Sequence, residues 1–326
     1  MKKTVLAAVA AVAFTAAPAL AADIITKARP SVVAAPVSAW DIAFGASLAS
    51  DYVFRGITQS NHKPSVSAYF EPRFNVNPNL QLYAGIAGSS ISFPNRAAAE
   101  IDLYGGIRPT FGPIAFDFGG IYYWYPGGQC FNAFVVGVGA DCVANGNLPL
   151  NGNVIKKDLS FWEIYGKATF NVNDAFALGA NVYYTNSFLN SGASGTYISG
   201  TAKYTFPALS NGVAVYTSGE LGYQYLGTSD SFYGLTGLAG GPGINYADYA
   251  TWNVGIGFTY KVLTLDLRYS DTNLSKADCN AFTSDHTATF NGSFSAINPG
   301  GVGSKWCGAA FIAKLSADLT LNTNVK

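Results

Sequence analysis

From Trp40 onward, apolar and polar residues alternate one by one. Leu263, Leu265, Leu267 and Tyr269 interleave with Thr264, Asp266, Arg268 and Ser270. Trp252, Val254, Ile256, Phe258 and Tyr260 interleave with Asn253, Gly255, Gly257 and Thr259. Ile101, Leu103, Gly105 and Ile107 stand against Glu100, Asp102, Tyr104 and Arg108. A period of two belongs to a β-strand with one greasy and one polar face; a helical period of 3.6 would mix the two sets. The pattern recurs at about 40–55, 65–75, 80–90, 98–110, 114–125, 159–170, 175–186, 195–206, 213–226, 249–260, 262–271 and 308–320. Most of these runs reach the ~9–11 residues that a tilted strand needs to cross a bilayer.

The connections alternate as well. Short ones at 75–79, 110–113, 171–174, 207–212 and Lys261 take turns with longer ones at 58–64, 92–97, 126–157, 187–194, 227–247 and 272–307. Barrels of the outer membrane have short periplasmic turns and long extracellular loops. Composition agrees: only 12% of residues are charged and 14% are aromatic, where about 25% charged is usual for a soluble protein. Only helices and closed barrels satisfy their backbone in lipid. The expected fold is therefore all-β, a transmembrane antiparallel up-and-down β-barrel of about 12 strands. A missed or spurious hairpin would make it 10 or 14.

The N-terminus sets the compartment. Lys2 and Lys3 precede an apolar run from Val5 to Leu20 that ends in Ala19, Leu20 and Ala21. A basic start, an apolar stretch and small residues at the cut are the parts of a secretory signal peptide. The expected organisation is a signal peptide over 1–21, an Ala/Pro-rich periplasmic lead-in over 22–39 and the barrel over 40–326, in the outer membrane of a Gram-negative bacterium. Four cysteines in an exported chain point to disulfides, and closure within one loop pairs Cys130 with Cys142 and Cys279 with Cys307. No pair has the CxxC spacing of a zinc site, no cofactor is implied, and the zero net charge does not suggest nucleic acid.

Sorting charges by face puts Asp41, Asp51, Arg55, Glu71, Arg73, Glu100, Asp102, Arg108, Asp117, Glu163, Lys167, Lys203, Glu220, Asp266, Arg268, Lys314 and Asp318 opposite the greasy stripes. A charge facing mid-bilayer costs about 2–4 kcal/mol for Arg or Lys, so these side chains should line the interior. There they either form a mutually paired plug or select solutes in a water-filled lumen. Aromatics cluster where the stripes begin or end: Trp40, Tyr52, Phe54, Phe74, Phe111, Tyr122, Trp124, Trp162, Phe170, Tyr184, Tyr204, Phe206, Tyr225, Trp252, Tyr260 and Tyr269. They read as the girdles of the two membrane interfaces. The two histidines, His62 and His286, fall in polar loops. They offer little support for an enzyme, since nucleophilic catalysis needs a base within reach of its nucleophile.

The segment from Ser50 to Ser60, SDYVFRGITQS, resembles the N-terminal signature of the TorF-type porins, a family of bacterial outer-membrane proteins. The resemblance implies an outer-membrane barrel and passive transport, and supplies neither a substrate nor assigned site residues. Two functions are expected on these grounds. One is passive diffusion of small hydrophilic solutes through a charged lumen. The other is a closed barrel, structural or surface-interacting, that works through its loops. Outer-membrane lipid is the partner in both, and the oligomeric state stays open. The topology is testable: an epitope inserted near Asn145, in the loop at 126–157, should be labelled on intact cells. Labelling only after the outer membrane is broken would invert the barrel.

Overall fold

The computed structural model describes residues 38–131, 151–234 and 242–324. The expected signal peptide and nearly all of the lead-in lie outside them, as does Cys142 of the expected Cys130–Cys142 pair. Twelve strands form one closed barrel. They are β1 (Trp40–Ala49), β2 (Ser65–Asn77), β3 (Leu80–Ser89), β4 (Glu100–Phe111), β5 (Ile114–Trp124) and β6 (Phe161–Asn171). The second half comprises β7 (Phe176–Thr185), β8 (Gly195–Thr205), β9 (Ala214–Leu226), β10 (Tyr249–Tyr260), β11 (Leu263–Thr272) and β12 (Ala310–Thr320). Each strand pairs antiparallel with its neighbours in sequence, and β12 closes on β1 in a register that runs from Ala43 opposite Thr320 to Ala49 opposite Lys314. No helix among the described residues is long and apolar enough to cross a membrane; the crossing is made by strands.

The turns follow local chemistry. Lys261, with φ of 56°, lies in the two-residue link between β10 and β11, and Gly112, with φ of 57°, helps join β4 to β5. Ordinary residues seldom adopt a left-handed backbone, which is why glycine serves the second turn. At the other end the connections are long, and they fold over and into the barrel.

The outer surface is greasy along its whole circumference. Leu103, Ile164, Ile256, Leu267 and Leu315 are between 39% and 56% exposed. A continuous exposed apolar band is not tolerable in water and is the surface that lipid covers. The inward face changes along the axis. At the long-loop end Tyr123, Glu163, Gln224 and Tyr249 are 1% exposed or less. Towards the short turns, Arg108, Asp117, Tyr165, Lys167, Tyr216, Asp266 and Arg268 are only half-buried. Phe93, Phe131, Leu159, Phe188, Tyr246 and Trp306 from the loops, with Phe161 and Tyr249 from the strands, build an aromatic core inside the long-loop mouth. The disulfide between Cys279, on helix α1 (Lys276–Thr283), and Cys307 ties the last long loop together, as its sequence suggested.

Strand β1 stops at Ala49, short of the expected residue 55. Ser50 donates the last wall hydrogen bond, to the Ala313 carbonyl at 2.9 Å, and the chain then turns inward. Asp51 and Arg55 thus reach the interior from a loop, not from the wall. Tyr52 and Phe54 are corrections to the expected girdle: Tyr52 is 5% exposed and hydrogen-bonded inside, and Phe54 packs on Tyr123 at 5.9 Å between ring centres.

The face assignment predicts a contrast between two neighbours. Leu265 faces outward, whereas Asp266 is paired inside with Arg268 at 3.0 Å. Leu265→Arg should destabilise the barrel by about 2–4 kcal/mol. Asp266→Asn should cost less, because Arg268 keeps Asn253 at 2.5 Å and Ser218 at 2.9 Å. Unfolding of both variants from lipid vesicles, followed by heat-modifiable gel mobility, measures the difference. Equal tolerance would overturn the assignment.

Candidate functional site

The segment after β1 makes a miniature hairpin inside the barrel. Val53 pairs with Thr58 and Phe54 with Ile57, and Arg55 and Gly56 form the tip. Both tip residues are left-handed, with φ of 48° and 79°. That backbone suits a two-residue hairpin turn, and it strains arginine while costing glycine little. Space also demands glycine: a Cβ on Gly56 would lie 2.3 Å from Thr272 Cγ2 and 2.5 Å from Thr251 Oγ1.

Several contacts fix the hairpin. Thr58 N–H donates to the Trp306 carbonyl at 3.0 Å, Gln59 N–H to that of Tyr52 at 2.6 Å, and Ser92 N–H to that of Gln59 at 2.8 Å. The Asp51 carboxylate gathers the Thr58 hydroxyl at 2.5 Å, the Ser60 hydroxyl at 2.9 Å and the His62 Nδ1 at 2.8 Å. The Tyr52 hydroxyl reaches across to Glu100 at 2.5 Å.

At the tip, Arg55 is 5% exposed. Its two terminal nitrogens meet the two oxygens of Glu163, each at 2.8 Å, and Nη1 also donates to Gln224 Oε1 at 3.1 Å. The guanidinium lies 4.5 Å from the Tyr197 ring centre, 4.6 Å from Phe54 and 4.8 Å from Tyr183. A buried guanidinium is tolerable only with such a bidentate partner and with aromatic faces in place of water.

The other charges fall into separate groups. Glu71 takes Arg73 at 2.6 Å and Arg108 at 2.8 Å, and Arg108 also reaches Asp117 at 3.3 Å while lying 3.6 Å over the Tyr83 ring. Asp266 accepts from Arg268 and from the Tyr216 hydroxyl at 2.8 Å. Asp318 accepts from Tyr69 at 3.2 Å and Ser316 at 2.9 Å. Lys167 lies 4.6 Å over Tyr165 and Lys203 4.3 Å over Tyr216, and Lys314 stands opposite Asp266 on the adjacent strand. Glu220 accepts from Tyr197 at 2.8 Å and Asn253 at 3.3 Å. Glu100 is held by Tyr52 and Tyr125, whereas both oxygens of the buried Asp102 carboxylate have no hydrogen-bond partner. Asp41 stands apart at the short-turn end, where it accepts from the Asn322 N–H at 3.0 Å.

Sorting by charge missed the neutral half of this interior. Gln224 and the inward tyrosines Tyr83, Tyr123, Tyr165, Tyr183, Tyr197 and Tyr216 are partners to about half of these charges, Arg55, Arg108, Asp117, Glu163, Lys167, Lys203, Glu220 and Asp266 among them. Their signal was present: each sits at a polar-face position of its strand, where an aromatic has no lipid to meet.

The model of a bacterial protein family of unknown function, Gcw_chp, matches residues 33–297. No curated protein sequence matches the chain. Among solved structures, the NanC porin is similar at 7% identity, with 86% of this chain and 100% of that chain covered and a TM-score of 0.41. OprB of Pseudomonas putida is similar at 13% identity, covering 86% and 93%, with a TM-score of 0.37. A loop-deleted OmpT, an outer-membrane protein of Vibrio cholerae, follows at 11%, covering 86% and 98%, with a TM-score of 0.34. At such identities the likeness concerns the barrel alone.

The two histidines differ in setting. His286 packs edge-on against Trp306 at 5.7 Å, and burial holds its pKa below the ordinary value. His62, Asp51 and Ser60 are in contact, but Ser60 donates to Asp51, and the His62 Nε2 lies 3.2 Å from the Lys305 carbonyl. Among the described residues the imidazole contacts the Asp51 carboxylate and the Lys305 carbonyl, and so fastens the hairpin to the last loop. The hydrogen bond to Asp51 raises the His62 pKa against the opposing effect of burial, and the charges of Asp51 and Asp285 add to the rise. The folded loop therefore holds the proton more tightly than an unfolded chain would. The stabilisation is complete below the ordinary histidine pKa and is lost as pH rises through the raised value. Hairpin amides should be more strongly protected, relative to the intrinsic exchange rate at each pH, at about pH 5 than at about pH 8. His62→Asn should abolish the difference, and an unchanged difference in that variant would reject the lock.

Proposed function

Because the chain belongs to the Gcw_chp family of bacterial proteins of unknown function, its activity must be read from its own residues, and we propose that it is a porin-like channel of the outer membrane, kept shut by the hairpin of its first long loop. Its solutes are small and hydrophilic, its long loops lie outside the cell, and its apolar band meets outer-membrane lipid. Placement among TorF-type porins, implied by the Ser50–Ser60 segment, belongs to the same proposal.

The observation that carries it is the Arg55–Glu163 contact, a charge delivered by a loop to a wall 108 positions away in sequence. A structural plug could be wholly apolar, as the aromatic core above the hairpin nearly is. A tethered charge in a strained turn is a device that can be released. The half-buried polar wall towards the short turns supports a solute path leading to the closure: Arg73, Arg108, Asp117, Lys167, Lys203, Asp266 and Asp318 project from it, around the buried Glu71.

Removing one partner of a buried pair leaves the other uncompensated and costs about 3–5 kcal/mol. If that cost falls on the closed state, its population relative to the open state drops by roughly a hundredfold or more. In planar bilayers the wild-type protein should be mostly silent, with Arg55→Ala and Glu163→Gln strongly conducting. Both variants must show the heat-modifiable mobility of a folded barrel. Folded variants as silent as the wild type would reject the channel and leave a closed barrel that acts through its loops.

A further inference from the structure

The contacts of Arg55 divide into those that travel with the hairpin and those that do not. Phe54 belongs to the hairpin. Glu163, Tyr183, Tyr197 and Gln224 belong to β6, β7, β8 and β9, four consecutive strands of the wall. Tyr197 stands directly opposite both Tyr183 and Gln224 in the sheet register, so these side chains form a row fixed by backbone pairing. All four are buried, at 1%, 7%, 3% and 0% exposure in that order. The wall therefore keeps, independently of the hairpin, a carboxylate that accepts two parallel hydrogen bonds, an amide oxygen for a third and two aromatic faces.

Further carboxylates lie at this end of the barrel, and one cation, Lys167, reaches the cage from the other side, 5.7 Å from the Tyr183 ring centre. Glu100 and Asp102 open strand β4 at the same end of the barrel, and Asp102 has no hydrogen-bond partner. Glu220 on β9 binds the hydroxyl of Tyr197 itself. Arg73, Arg108, Lys167 and Lys203 lie in the short-turn halves of their strands. Glu220 thus stands as a second carboxylate directly behind the aromatic wall.

We propose that this wall is a receptor for small cations that carry a guanidinium group, and that Arg55 occupies it as a tethered competitor in the closed barrel. Access from solution rests on the gated-channel function; binding rests on the wall alone. Guanidinium is specified over ammonium because Glu163 accepts from two nitrogens of one planar fork while the rings lie against its faces. A compact ammonium offers neither the fork nor the plane. A free ligand would gain entry by taking the place of Arg55, which relieves the left-handed tip and opens the path.

The test uses the full chain folded in detergent, with methylguanidine and methylammonium as probes in calorimetric titrations. Arg55→Ala should bind methylguanidine about tenfold more tightly than methylammonium, and adding Glu163→Gln should remove that preference. Arg55→Lys keeps a charge in the cage and serves if the alanine variant does not fold: methylguanidine should displace its lysine more readily than it displaces the native arginine. Equal binding of the two probes by a folded Arg55→Ala barrel, or a preference that survives Glu163→Gln, would overturn the receptor. The two proposals fail separately. Selective binding without conductance removes the channel and keeps the receptor, whereas conductance without selective binding removes the receptor and keeps the channel.

Discussion

A strand that faces lipid cannot leave any backbone N–H or C=O unpaired, and a sheet meets that demand only by closing on itself. Closure of β12 on β1 is therefore the condition for everything else in this chain. It makes the strands alternate in direction and divides every strand into a lipid face and an inner face. It also sends nearly all strand charges inward; the exception, Asp271, sits at the long-loop end of β11, where it accepts from the outward Tyr269 hydroxyl. The short turns at one end and long loops at the other follow from the same up-and-down path.

Closure creates a second problem. An interior lined by carboxylates and bases must satisfy them with little water. Towards the short turns, most side chains are half-buried, and the ion-paired Asp117 and Asp266 share their carboxylates with tyrosine hydroxyls. Towards the long loops, water is displaced by aromatic side chains from the loops, and the buried Glu163 obtains its counter-charge from Arg55 at the hairpin tip. The gradient from a polar, partly open half to a packed half is thus a gradient in what replaces water. It places Arg55, a charge carried by a strained, tethered turn, at the boundary between the two.

The barrel was legible in the sequence because its signal is local. A period of two is visible within ten residues, and the pairs Leu265/Asp266 and Leu103/Asp102 show which face is which without reference to any neighbour. Strand ends fell within a few residues of their places wherever a turn residue marked them, as Gly112 and Lys261 do. The first strand was the exception. Tyr52 and Phe54 keep the alternation going, so the pattern runs on to 55 although the wall ends at Ala49. The sign of the change was the Arg55–Gly56 pair flanked by β-formers, a hairpin turn whose chemistry the alternation masked.

The chain itself determined the strands, their lipid face and the Cys279–Cys307 closure, because each depends on spacing along a short stretch. Only the tertiary structure decided which inward groups meet. Arg55 lies 108 residues from Glu163 and 169 from Gln224, and no pattern along the chain relates such positions. Their distance is set by the number of strands, the register of each pair and the depth to which a loop folds back, and those exist only once the sheet has closed.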